Sequence, residues 1–500
     1  MSLAAIIANL PALVVVVPLL LAPVAALIPV SGAAWVIAVI GTGGALISAW
    51  MLQGAVTGGV SFSYHLGSWP PPWGIEFVVD AASALTVLIM AALSFVATLF
   101  ARRALPAEIN ERDAGKAYSA WLLASGGLAG LVMTGDAFNL FVFLEISALS
   151  SIILIALGAG TDRRALVAAY NYLIIGAVGA TFYVIGVGFI YAVTGTLNMA
   201  DLAERIPQVQ QDTVIIVGFG FMVAGILVKA AAFPVHIWLP AAYAFAPSAV
   251  SAMLAAIATK AALYILARIL FTVFAGVPDV TALALEWVLV PLAIAGIFTG
   301  TILAIYENDI KKLLAFSSVA QIGYIALAFG IASSAGIAAG FIHIGNHAII
   351  KGGMFLAVGG YFLALRSRVS LSAMTGLGRR MPITTTGFLI CGLSLIGLPL
   401  TAGFISKLYL VRALIAEDMI LVMILVLVSS ALSVAYLWKI VEILWQRPEG
   451  DDVPLHGDET PALYLPLWIL AIANLWLGVA PAPLVDAANR AAMHLVGGIS

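Results

Sequence analysis

Four lysines of this 500-residue chain stand in stretches with no evident place for an ammonium group: Lys229 in AGILVKAAAFPVHIWLP, Lys260 in AAIATKAALY, Lys351 in NHAIIKGGMF and Lys407 in TAGFISKLYL. One carboxylate, Glu145 in NLFVFLEISALSS, shares that setting and reads as the only acid well inside an apolar run. An uncompensated charge at membrane depth costs roughly 2.5–3.5 kcal/mol on insertion scales. One anion cannot neutralise four cations as a fixed set of ion pairs. Either some of the lysines are neutral amines or water reaches them, and an amine in either situation can take up and release protons. A row of such groups beside a carboxylate reads as a proton relay. The competing reading makes each a structural hydrogen-bonding spot between helices.

A second group lies in HIGNHAIIKGGMF, where His343, His347 and Lys351 recur every four residues. On a helix that spacing puts them on one face. Histidine titrates near neutral pH, which suits proton transfer. The rivals are a purely structural polar face and a zinc site. For zinc there is no HExxH glutamate and no third ligand close by, so no metal is expected. Other chemistries find no residues to carry them. The single Cys391 cannot form an intramolecular disulfide or a CxxC pair. No GxxxxGK[ST] loop occurs, no cofactor motif is present, and a net charge of −2 gives no footprint for nucleic acid.

The elements that must position these residues follow from composition. The chain is 63% hydrophobic and 9% charged, so most of its surface must face lipid. With about 20 apolar residues needed per crossing, spans fall near 4–28, 33–57, 79–101, 117–135, 138–159, 166–194, 213–235, 243–270, 281–305, 313–333, 336–365, 382–410, 419–446 and 461–482. The expected fold is therefore an all-α polytopic membrane protein of about fourteen helices, with residues 1–500 forming one integral membrane domain. The stretch 58–78, with SYHLGSWPPPWG, reads as a rigid Pro/Trp turn, and 447–460 as an acidic loop.

Pro234 and Pro240 follow Lys229, while Gly397, Pro399 and Gly403 precede Lys407. Proline removes helix hydrogen bonds, and freed carbonyls at membrane depth are tolerated only inside protein or along a wet cavity. Two interrupted helices, each bearing a lysine, fit a transporter built from two repeats; ordinary proline kinks are the alternative. Residues 117–270 and 281–446 would be two five-helix units, the odd number inverting the second relative to the first. Odd-numbered connections hold Arg102, Arg103, Arg112, Lys116, Arg163, Arg164, Lys311, Lys312, Arg366, Arg368, Arg379, Arg380 and Arg447. Even connections and the tail hold Arg205, Arg268, Arg412 and Arg490. The bias makes the odd connections cytoplasmic and puts both termini outside.

The stretches TGDAFNLFVFLE, VKAAAFPVHIWLPAAYAFAPSAVSAMLAAIATKAALY, ENDIKKLLAFSSVAQIGY, NHAIIKGGMF and PLTAGFISKLYL resemble the antiporter-type subunits shared by respiratory complex I, membrane-bound hydrogenases and Mrp cation/proton antiporters, over roughly residues 75–445. GDAFNLFVFLE is most similar to the D-type Mrp subunits. The resemblance implies inverted five-helix repeats and assigns roles. Glu145 and Lys229 would form a switch pair, Lys260 would be the central carrier and Lys407 the exit. His343, His347 and Lys351 would be secondary members, and His236 a weaker candidate near a membrane surface. It further implies a bacterial inner membrane, other membrane subunits as partners, and protons with monovalent cations as cargo. A proton-pumping subunit of complex I or a hydrogenase, and a self-sufficient transporter, are the alternatives.

Overall fold

The computed structural model describes residues 3–367, 369–447, 455–457 and 459–497; Arg368 and much of the acidic stretch 447–460 lie outside the described residues. Helices α1 (Leu3–Ala26) and α2 (Ser31–Ala55) pack on each other. The segment read as a turn holds a hairpin instead, β1 (Phe62–His65) antiparallel to β2 (Glu76–Val79), with Phe62 opposite Val79 and His65 opposite Glu76. The Pro/Trp run is its loop. In β1 half-buried and exposed side chains alternate, the period expected of a strand with one covered face.

Next come α3 (Ala81–Glu108), α4 (Ala114–Met133), α5 (Ala137–Ala156), α6 (Arg164–Thr194) and the short α7 (Met199–Arg205). The tight link before α5 closes because Asp136 caps it, accepting from Asn139 N at 2.6 Å. Then follow α8 (Asp212–Ala230), α9 (Trp238–Phe245), α10 (Ser248–Arg268, extended by a π turn to Val273) and α11 (Pro278–Ala284), which runs through a second π turn into α12 (Val290–Tyr306). The remainder is α13 (Ile310–Gly330), α14 (Ser334–Leu365), α15 (Leu377–Arg380), α16 (Pro382–Ile396), α17 (Ala402–Ala416), α18 (Ile420–Trp445), α19 (Pro461–Val479) and α20 (Ala482–Gly497).

Twelve helices among the described residues are long and apolar enough to cross a membrane. Helix α4 has the length but is diluted by glycine and alanine. With α4, and with α16–α17 taken as one interrupted crossing, the fourteen expected crossings are accounted for. The chain is a multi-pass membrane protein. Three spans differ from their expected limits. The run 213–235 stops at Ala230, where Ala231 turns left-handed (φ 54°). The run 243–270 starts only at Ser248, because residues 238–245 form the separate α9. The run 382–410 breaks after Ile396, where Gly397 adopts φ 95°, a conformation glycine tolerates best. The cause is the one the prolines suggested. Both interruptions fall in the fourth crossing of the ranges 117–270 and 281–446.

Helix α10 is buried along its whole length, and α13 and α14 nearly so. The polar residues therefore lie in the protein interior and not against lipid. Close helix approach makes this possible: a Cβ on Gly225 would meet Gly179 O at 2.5 Å, so α6 and α8 touch backbone to backbone.

Candidate functional site

Lys229 is 6% exposed in the last turn of α8. Its ammonium donates to Tyr172 Oη on α6 at 3.3 Å. Tyr172 in turn stacks on Trp238 of α9, with ring centroids 4.2 Å apart. Trp238 Nε1 donates to Val228 O at 3.0 Å, a second bond to a carbonyl that also accepts from Ala231 N at 3.1 Å. The break thus builds a compact corner around the lysine. Glu145, on α5, is only half-buried. It feels the charge of Lys229, but among the described residues no ion pair closes between them. His236 is buried in the α8–α9 link, with Nδ1 unpartnered.

Lys260 is fully buried at mid-α10 and donates to the carbonyl of Ala255 on its own helix. His343, His347 and Lys351 are buried on one side of α14, as the four-residue spacing predicts. His343 and His347 lie parallel, with ring centroids 5.9 Å apart. Lys260 is the electrostatic neighbour of His343, His347 and Lys351 alike. His343 Nδ1 meets Ser406 Oγ at 2.8 Å and Nε2 meets Gln321 Oε1 at 2.9 Å. His347 has both ring nitrogens buried and without a partner. Lys351 donates to Leu314 O at 2.9 Å and to Ser317 Oγ.

Lys407 shows what the second break supplies. Its ammonium donates to Ile396 O at 2.6 Å, Leu395 O at 3.1 Å and Ser430 Oγ at 2.8 Å. The first two are the terminal carbonyls of α16, the negative end of a helix dipole. The Tyr324 ring lies 5.4 Å from the same ammonium. Asn474 of α19 fastens the junction, its Oδ1 accepting from Ser394 Oγ at 2.7 Å and Ala402 N at 3.1 Å. Neutral oxygens hold all four deep lysines; none has a carboxylate within 4 Å among the described residues. The helices that bear them pack in turn, α8 on α10, α10 on α14 and α14 on α17.

The reading of Glu145 as the only deep acid is corrected. Asp80 is 0% exposed, and Glu76 and Glu108 are buried as well. All three serve structure at element ends, which an apolar-run criterion passes over. Both Glu108 oxygens accept from Ser248 N at 3.0 Å, capping α10. Glu76 accepts from Asn198 Nδ2 at 2.5 Å. Asp80 caps α3 and pairs with Arg268 at 2.6 Å. Arg268 is therefore no loop charge, and neither is Lys311, which is buried and donates to Ala246 O at 3.0 Å. A cavity of about 300 Å³ at this end is lined by Glu108, Asp162, Arg164, Asp309, Lys311 and Arg366.

Sequence reasoning missed Tyr172, Gln321, Ser406 and Ser430. Gln321 was detectable as the amide of an otherwise apolar span, in AFSSVAQIGY. Tyr172, in AAYNYLIIG, carries no such signal, since tyrosine there also suits a lipid interface. No group of three or more His, Cys, Asp or Glu able to hold a metal occurs among the described residues.

The chain matches the family described as NADH:quinone oxidoreductase/Mrp antiporter, transmembrane, over residues 134–433. It is 37% identical to the N-type subunit of the NADH-quinone oxidoreductase of Desulforudis audaxviator, covering 94% of this chain and 96% of the relative. It is 30% identical to the D-type subunit of the Na(+)/H(+) antiporter of Bacillus subtilis, covering 90% of each. Among solved structures, a chain of the Mrp complex from Dietzia sp. superposes with a TM-score of 0.88 at 28% identity, over 98% of both chains. A chain of the membrane-bound sulfane sulfur reductase, an archaeal respiratory membrane complex, gives 0.89 at 32%, again over 98% of both. By sequence and by fold, the chain belongs to the NADH:quinone oxidoreductase/Mrp antiporter transmembrane family.

Proposed function

We propose that this chain is the D-type, proton-translocating subunit of a multisubunit monovalent cation/proton antiporter in a bacterial inner membrane. One observation carries the reading: four deep lysines and a histidine pair are buried on helices packed in succession, and neutral oxygens, not carboxylates, hold the lysines. A structural ion pair would keep its anion close, whereas a carrier needs surroundings that tolerate both protonation states. Glu145 and Lys229 act as the switch. With the pair closed, the carboxylate stabilises the ammonium; the open arrangement seen here leaves Lys229 on Tyr172, free to pass its proton towards Lys260. From there the route runs past His347 and His343 to Lys407.

The 37% identity to the N-type subunit of an NADH-quinone oxidoreductase favours a second reading, a pumping subunit of a redox enzyme. The sequence shows no flavin, cluster or quinone motif, which fits a non-redox subunit under either reading. The discriminating experiment expresses it with its neighbouring membrane subunits in an antiporter-deficient host and follows proton movement in inverted vesicles. Acid-loaded vesicles should respond to added Na⁺ or K⁺, and Lys260→Ala should abolish the response. Proton movement that follows electron donors and ignores added cations would establish the second reading.

A further inference from the structure

Helix α10 carries Lys260, Tyr264 and Arg268 at four-residue intervals, hence on one face. At 1.5 Å per residue, Arg268 stands about 12 Å along the axis from the central lysine. Beyond Arg268 opens a cavity of about 640 Å³, lined in part by Ala81, Glu204, Phe271, Arg490 and His494. It lies at the C-terminal end of α10, opposite the Glu108 end. About two helical turns are therefore all that separate the fully buried Lys260 from a second open cavity.

Two clusters flank that interval. One is an aromatic run that leads from Tyr264 outward past Arg268 to the cavity wall: Tyr264 with Phe341 at 6.5 Å, Phe341 with Phe329 at 5.8 Å, and Phe329 with Phe271 at 6.4 Å between ring centroids. The other is charged. Arg268 Nη2 lies 2.6 Å from Asp80 Oδ2 and donates to Tyr264 Oη at 2.6 Å, while Nε reaches the same hydroxyl at 3.1 Å. His494 of α20 closes on Asp80 Oδ2 at 3.3 Å. A buried ion pair is a weak stabilising device compared with apolar residues of similar size, so tying α3, α10 and α20 together is a poor reason for this one. Its position supplies a better one. A guanidinium cannot give up its proton, and a fixed positive charge at a constriction repels protons and cations.

We propose that the Asp80–Arg268 pair and the aromatic run beside it form an electrostatic seal, which stops protons and cations passing from Lys260 straight into this cavity and so directs them sideways to Lys407. The proposal rests on Lys260 being a carrier. The pair positions and insulates; it carries no proton itself.

The test is passive proton permeability of vesicles holding the assembled complex, in choline medium without Na⁺, K⁺ or Li⁺. Arg268→Gln should collapse an imposed pH gradient roughly tenfold faster than wild type, and Arg268→Lys, which keeps a cation, should remain tight. Should Arg268→Gln fail to assemble, the double variant Asp80→Asn with Arg268→Gln leaves no unpaired buried charge and should leak in the same way. Adding Lys260→Ala to either leaky variant should restore tightness. Wild-type permeability in an assembled variant lacking both charges would overturn the seal. A leak that survives Lys260→Ala would also overturn it, by showing that the path does not start at the relay. The relay reading stands or falls separately, on the loss of cation-driven exchange in Lys260→Ala alone.

Discussion

A carrier must lose its proton as well as hold it, and in the proposed relay that separates the buried lysines from Lys439. Lys439 donates to Ile305 O, Glu307 O and Asn308 Oδ1, capping the end of α12, a task any permanent cation can do. Lys229→Arg should therefore assemble yet lose exchange as fully as Lys229→Ala, because arginine, with a pKa above about 12, does not deprotonate. Lys439→Arg should be nearly silent in the same vesicles. Near-normal exchange by Lys229→Arg would make that lysine a structural cation. At His347, whose ring nitrogens have no protein partner, His347→Ala should shift the pH optimum of exchange, while chelator should leave the wild type unaffected. Inhibition by chelator and its reversal by zinc would reinstate the metal reading. Asp80 stands just ahead of the span Ala81–Glu108. Burial alone would raise its carboxyl, but Arg268 and His494 outweigh that and hold it well below the usual carboxylate range. A carboxyl depressed on folding adds stability above its unfolded pKa of about 3.9, lost only as pH falls through the folded value. Asp80→Asn should thus lower the thermal midpoint of the complex at pH 8, and by at least as much at pH 5. A deficit that vanished at pH 5 would show Asp80 titrating in the folded protein.

The two interrupted helices set the chemistry at the scale of elements. A continuous helix would consume its own carbonyls and leave Lys407 only the Ser430 hydroxyl to donate to. The α16–α17 junction is also unusually tight: a Cβ on Gly403 would sit 1.8 Å from Ser394 O. Gly403→Ala must therefore push the half-helices apart, at an overpacking cost of about 1–3 kcal/mol. The expected result is a lower thermal midpoint with exchange lost through displacement of Lys407. Wild-type exchange and stability in Gly403→Ala would show that the junction can open without consequence. The α8–α9 break offers a contrast, since Tyr172 and Trp238 form its corner and Lys229 needs no carbonyl there.

For the whole molecule, burial in protein explains why deep lysines can be carried at all. Helices α10, α13 and α14 are screened from lipid by the others, so Lys260 and Lys351 face protein. The similar chains of known structure come from multisubunit complexes. Expressed alone, this chain should insert into the membrane yet give no cation-driven proton movement, and coexpression with its partner subunits should restore it. Exchange by the purified monomer would instead establish a self-sufficient transporter.

The primary sequence by itself determined the solvent, the helical class, the approximate positions of the crossings, the two breaks and the identity of the deep lysines. Each follows from local properties: apolar run length, proline and glycine placement, and ionisable groups with no water nearby. Tertiary structure decided which groups meet. That Lys407 reaches the terminal carbonyls of α16, that Tyr172 and not Glu145 takes the Lys229 ammonium, and that Asp80 finds Arg268 188 residues away depends on helix packing, which no local pattern encodes. The buried Asp80 and Glu108 escaped a sequence reading for the same reason. An acid at the end of a span looks exposed until the fold shows that the span ends inside the protein.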